Sequence, residues 1–211
     1  AAPSSTLGRL RIGPHDLPCA LGRAGLLETK REGDGGTPVG CFPLRALRYR
    51  ADRLAAPETG LPVTTILPDD GWCDAPGDPA YNRPVRLPYP ASAEAMWRHD
   101  HLYDLVVLLG HNDDPVVRGA GSAIFFHLAK EAGAAPLPTD GRVALRLRDM
   151  LTVLPLCDAQ PTTRTERGQP RLPTKALPTG ISSARPVIAV SVCPRLPPHS
   201  TAIPSPRRNI S

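Results

Sequence analysis

Aromatic residues are scarce in this chain, nine among 211. Long apolar runs are missing as well. No stretch approaches the ~18 residues that a membrane helix needs, which excludes a spanning helix. The five cysteines (Cys19, Cys41, Cys73, Cys157 and Cys193) are odd in number, and no two have CxxC spacing. A disulfide framework or a zinc site is therefore poorly supported. The first residues, Ala1-Ala2-Pro3-Ser4-Ser5, contain neither Met nor an apolar leader, so a processed chain or a fragment is expected, with no signal peptide in it.

Acids are scarce in one region only. From Asp158 to Ser211 there are eight Lys/Arg against two acids, Asp158 and Glu166, a balance of +6. The whole chain carries +5, so residues 1–157 carry 5 − 6 = −1. The basic character belongs to the C-terminal segment, and the body has no charge reason to bind nucleic acid. Proline is abundant, at 27 residues. With few aromatics, that argues against a helical bundle and for short strands and turns. The expected organisation is a mostly-β domain over 1–157 and a Pro/Arg-rich, disordered tail over 158–211. A body of ~150 residues buries roughly two-thirds of its chain surface, enough for a real core. The one apolar run in the tail is Val187 to Val192.

Within the body, Arg9 to Ile12, Cys41 to Leu47, Asp104 to Leu109 and Ser122 to Leu128 read as strands, the last two dense in apolar residues. Gly33-Asp34-Gly35-Gly36 reads as a loop. Ser92 is placed to cap a short helix through Trp97. Leu147, Leu151 and Leu154 fall at helical spacing and predict a stripe packed on the core.

Candidate chemistry concentrates in Gly119 to Ala129 and Thr139 to Leu145. His127 stands at the end of a predicted strand, facing a tight turn about fifteen residues on. That turn precedes a predicted helix, whose N-terminus would offer N–H groups to developing negative charge. Other clusters carry less. Arg98-His99-Asp100-His101 offers two histidines at strand spacing but no third metal ligand, so it reads as exposed polar sequence. His111-Asn112-Asp113-Asp114 is turn chemistry ahead of Pro115. The glycine loop lacks the lysine and context of a phosphate loop. Trp72, Tyr81 and Trp97 suit a peptide cleft or core and rim packing, and Arg83 and Arg98 suit substrate carboxylates or, more commonly, surface ion pairs.

Several segments, taken in order, carry a resemblance. They are Pro18 to Arg23, Lys30 to Gly40, Gly71-Trp72-Cys73-Asp74, Tyr81-Asn82-Arg83, Trp97-Arg98, Tyr103 to Val107, Asn112 to Val117 and Gly121 to His127. Together they resemble the L,D-transpeptidase (YkuD-like) catalytic domain family, in a branch with a shortened motif, over most of residues 7–156. The resemblance implies a mostly-β, sandwich-like fold with a few short helices. It implies a location in the cell envelope and a role in peptidoglycan biosynthesis, wall organisation and cell shape. The implied chemistry is acyl transfer on peptidoglycan stem peptides. A cysteine thiolate forms a thioester, a second amine takes the acyl group, and no metal or other cofactor takes part. The product is a cross-link, an exchange with free D-amino acids, or a lipoprotein link.

Mapped by that resemblance, His127 is the general base, and the backbone N–H groups of Gly141 and Val143 are oxyanion candidates. Ser122 and Thr139 face substrate. The nucleophilic cysteine should stand at position 142, where this chain has Arg142. A guanidinium stays protonated and offers no nucleophile. Removing a hydrolase's nucleophile costs roughly a million-fold in kcat. The chain as written is expected to be silent in acyl transfer. Two readings of Arg142 compete. In the favoured one it replaces a cysteine in an otherwise transpeptidase-type chain, as a damaged copy would. In the other it is functional, pairing with a peptide carboxylate in a cell-wall peptide-binding protein. A third reading has the basic tail bind an anionic polymer or membrane surface.

Overall fold

The structure is a computed structural model that describes residues 5–132, 135–158 and 189–192. In chain order its first strands are β1 (Leu7–Ile12), β2 (His15–Ala20), β3 (Leu26–Leu27), β4 (Thr37–Pro38), β5 (Leu44–Tyr49) and β6 (Val63–Thr65). Then follow β7 (Asp70–Cys73), β8 (Pro84–Arg86), β9 (Ala93–Ala95), β10 (Leu105–Leu109) and β11 (Phe125–Leu128). The last are β12 (Glu131–Ala132), β13 (Ala135–Pro136), β14 (Val143–Leu145), helix α1 (Leu147–Val153) and β15 (Ala189–Val192). The protein is mostly β, and helix among the described residues is confined to α1 and a 3-10 turn at Leu154–Leu156.

Eight strands make one sheet, in the order β15-β1-β2-β14-β11-β10-β5-β6. Its centre explains the apolar runs. Strands buried on both faces read as continuous hydrophobic sequence instead of alternating, and the period of two then sorts side chains between faces. Leu105, Val107, Phe126 and Leu128 join Leu10, Leu47 and Leu145 in one core, closed by Met150, Val153 and Leu154 from α1 and the turn after it. Val106 and Phe125 point the other way, into a second cluster with Ile66, Met96, Tyr103 and Ala123. That face is covered by a separate three-stranded sheet, β8-β7-β9, from which Trp72 meets Phe125 edge-on at 5.1 Å. By the same alternation His127 falls on the second face, between the two sheets.

Three local expectations change. Ser92 caps no helix, because Ala93–Ala95 is a strand paired with β7, with Trp72 opposite Glu94. The helical stripe has a different phase. Leu147 and Leu151 are exposed, while Met150, Val153 and Leu154 are buried. The helix begins at Leu147, the first residue of the stripe, since Val143–Leu145 just before it is a strand parallel to β11. Of the apolar run in 158–211, Ala189–Val192 pairs antiparallel with β1 at the sheet edge. Apart from this strand and Asp158, the expected tail lies outside the described residues.

Candidate functional site

His127 and position 142 are brought together by adjacent strands. β11 and β14 run parallel, with His127 opposite Ala144 and Phe126 opposite Val143, so Arg142 enters the sheet beside the start of β11. The loop before β14 is tightly held. The Thr139 hydroxyl accepts from the Arg142 N–H at 2.8 Å and lies 2.7 Å from the Arg142 carbonyl. The Thr37 hydroxyl donates to that same carbonyl at 3.0 Å and accepts from the Gly22 N–H at 2.8 Å. Gly141 has φ +105°, and a Cβ there would stand 2.7 Å from the Gly36 carbonyl oxygen. Only glycine tolerates both the dihedral and the approach. Three loops that lie far apart in sequence therefore cross at position 142.

The Arg142 side chain is equally constrained. Its Nε–H donates to the Ala123 carbonyl at 2.9 Å, and Nη2 pairs with the Glu94 carboxylate. The guanidinium carbon lies 5.9 Å from the Tyr103 ring centre and 5.8 Å from that of Phe125, within cation–π range. Glu94 also accepts from the Tyr103 hydroxyl at 2.6 Å and has Arg98 at 3.8 Å. Burial pushes the Tyr103 hydroxyl well above its ordinary range. The Tyr103 ring meets the His127 ring edge-on at 5.4 Å, which links the arginine, the tyrosine and the histidine in one cluster.

His127 is 3% exposed, and its Nδ1 is 2.8 Å from the Leu128 carbonyl, an arrangement that makes Nδ1 the protonated nitrogen. Desolvation, reinforced by the positive charge of Arg142, pushes its pKa down to about 3. The imidazole is therefore neutral at physiological pH. That is the form a general base needs, although such a low pKa makes it a weak one.

A cavity of about 410 Å³ opens against this cluster, and its lining includes Ser122, Ala123, Glu94 and Arg142 together with Lys30, Glu32, Asp74 and Asp140. Of the expected site residues, Ser122 and Arg142 line it directly, and Thr139 and Gly141 shape the loop that bears Arg142. The helix-terminus argument for oxyanion stabilisation does not hold, because strand β14 separates position 142 from the start of α1 at Leu147. Lys30, Glu32 and Asp74 stand in the motif segments with no role assigned to them, and Glu94 stands outside those segments. Glu94 depends on a strand that its alanine-rich surroundings disguise as helix.

Among the described residues no thiol lines the cavity. Cys19, Cys73 and Cys157 are buried. Desolvation pushes Cys19 up to about 12 and Cys157 up to about 11, and raises Cys73, so all three are neutral thiols at pH 7. Cys41 is exposed, in the segment between β4 and β5. The other polar clusters are structural. Arg98 pairs with Asp100, and His101 is 2.7 Å from Asp104. Asn112, at φ +51°, ties its own turn by accepting from the Val117 N–H. Asp34 caps the glycine loop through the Arg31 and Gly36 N–H groups. Arg83 donates to the Asp113 carbonyl, and Trp97 lies under the Arg50 guanidinium. No described helix is long and apolar enough to cross a membrane.

No curated protein and no solved structure matches the chain. A family model does, over residues 10–176, a span that includes both strands of the His127–Arg142 cluster and all the cavity walls. The family's activity is peptidoglycan cross-linking, its substrates are peptidoglycan peptides and its place is the cell envelope. The chain belongs to the L,D-transpeptidase catalytic domain family, YkuD.

Proposed function

We propose that this chain binds peptidoglycan stem peptides in the cavity beside Arg142, and that it carries out no acyl transfer because Arg142 occupies the place of the nucleophilic cysteine. The observation that carries the reading is the guanidinium itself. It is fixed by the Ala123 carbonyl and by Glu94, stacked near Tyr103 and Phe125, and set beside a neutral, buried His127. A thiol at this point would have a neutral imidazole on the adjacent strand to take its proton and a rigid loop under it. An arginine has the loop and the base but no electron pair to offer.

The frame around position 142 supports transpeptidase-type chemistry once a thiol is supplied. Thr37 and Thr139 pin the residue's carbonyl, which leaves the Gly141 and Val143 N–H groups as the oxyanion donors of the proposal. His127 is its base, and Ser122 and Thr139 stand on the substrate side. This favours the reading of Arg142 as a replacement in a transpeptidase site over the reading in which it receives a peptide carboxylate. Glu94 already fills that role.

The test is calorimetric titration with a stem tetrapeptide, paired with intact-mass measurement of the same mixture. Saturable binding with no acyl adduct is expected. A covalent adduct on the wild-type chain, or no binding at all, would overturn the proposal.

A further inference from the structure

The cavity's charges are not balanced. Three cations line it, and each is already held by a carboxylate: Arg142 by Glu94, Lys30 by Asp34, and Arg23 by Asp140. Two further carboxylates in the walls have no such partner. Glu32 accepts only from the Tyr81 hydroxyl, at 2.5 Å, and among the described residues no cation pairs with Glu32 or Asp74. Asp74 Oδ1 and Ser122 Oγ are buried, Asp74 Oδ1 with no hydrogen-bond partner and Ser122 Oγ with only the Tyr81 hydroxyl near it, and Ser122 as a whole is 6% exposed. A buried acceptor left unpaired carries its full desolvation cost until something donates to it.

We infer that the cavity receives a primary ammonium group, held by the carboxylates of Asp74 and Glu32 with the Ser122 hydroxyl as the third acceptor. An ammonium has three N–H donors and no acceptor, which suits a wall of acceptors short of donors. Hydrogen bonds from an ionised donor to carboxylates are the stronger kind. The serine hydroxyl turns toward the cavity by a change between staggered rotamers. A ligand carboxylate finds no comparable place, since every cation in the walls must first release its partner. The inference rests on the stem-peptide reading and adds to it the group of the peptide that this chain reads, an amine.

Two probes separate the claims. The first is N-acetyl-L-alanyl-γ-D-glutamyl-L-lysine, compared by titration with the same peptide acetylated on the lysine Nε. The second is n-butylammonium, followed by amide NMR shifts at Asp74 and Ser122. Acetylation is expected to weaken binding about tenfold or more, the value of one charge-assisted contact. Asp74→Asn is expected to abolish that difference. Glu32→Gln, which keeps an acceptor for Tyr81, is expected to reduce it, and each variant's melting curve reports folding. If both peptides bind the wild-type chain equally, the ammonium site is wrong and the stem-peptide reading stands. If neither peptide binds but n-butylammonium shifts Asp74 and Ser122, the ammonium site stands and the stem-peptide reading falls. If neither probe acts, both fall.

Discussion

Around Arg142 on the one hand, and around Asp74 and Glu32 on the other, the cavity lining treats charge in opposite ways. Around Arg142 every charged group has a partner. The guanidinium meets Glu94 and a carbonyl, Glu94 meets the Tyr103 hydroxyl, and both side chains of the ion pair are more than four-fifths buried. Around Asp74 and Glu32 acceptors outnumber donors. The lesson is that a residue standing where chemistry is expected need not be the one that meets ligand. Arg142 behaves as structure, tying β9 of the small sheet to the start of β14 in the large one. Asp74 and Glu32, to which sequence assigned no role, keep their capacity to bind.

The largest effect expected is a gain of chemistry. Arg142→Cys should form a thioester with a stem tetrapeptide, where the wild type sits at background; loss of a nucleophile is worth roughly a million-fold in turnover. The new thiol would face Glu94, whose negative charge opposes thiolate formation, so Arg142→Cys/Glu94→Gln should acylate faster than Arg142→Cys alone in a stopped assay. Next in size is the matched pair itself. Glu94→Ala strips the partner from a largely buried guanidinium and should cost roughly 2–4 kcal/mol in urea unfolding. In the unmatched part of the lining, Glu32→Gln should change stability by no more than about 1 kcal/mol, because Tyr81 keeps its acceptor. Equal costs at the two positions would erase the distinction between the two parts of the lining.

The pH dependence of stability sharpens the same contrast. His127 stays neutral in the fold down to about pH 3, against an ordinary value of 6.5. Between those limits the unfolded chain binds a proton that the folded chain refuses. Stability therefore falls as pH falls through this window, by up to about 1.4 kcal/mol per pH unit. His111, also lowered by burial, adds to the slope. The measurable quantity is the difference between wild type and His127→Gln, whose slope between pH 6 and pH 4.5 should be shallower. The smallest effect belongs to the rim. The Arg23–Asp140 pair is more than half exposed on both sides, so Asp140→Asn should cost no more than about 1 kcal/mol in the same unfolding assay.

Much of the large sheet was legible because its central strands are buried on both faces. Leu105 to Leu109 and Phe125 to Leu128 advertise themselves as apolar runs, and the position of His127 on a buried strand followed from them. The small sheet was not legible. Ala93, Glu94 and Ala95 have helix-favouring side chains, and the pairing with Gly71, Trp72 and Cys73 overrode that preference. Losing that strand meant losing Glu94, and with it the reason Arg142 is held. The helix suffered a phase error for a similar reason. Leu147 and Leu151 look like a core stripe, but the parallel pairing of β14 with β11 sets where the helix begins and turns Met150 and Val153 inward instead. Asp74 stands in a motif segment and Ser122 is a substrate-side residue by resemblance, but their want of partners was not legible, since an unpartnered acceptor is defined by what fails to approach it in space.

The most direct test of the central claim is intact-mass analysis of wild type and Arg142→Cys after incubation with a stem tetrapeptide. The account predicts an unmodified wild-type chain and an Arg142→Cys chain heavier by the acyl tripeptide, with the adduct lost in His127→Gln/Arg142→Cys. An adduct on the wild-type chain, or its absence from a folded Arg142→Cys chain, would contradict the placement of the nucleophile at position 142.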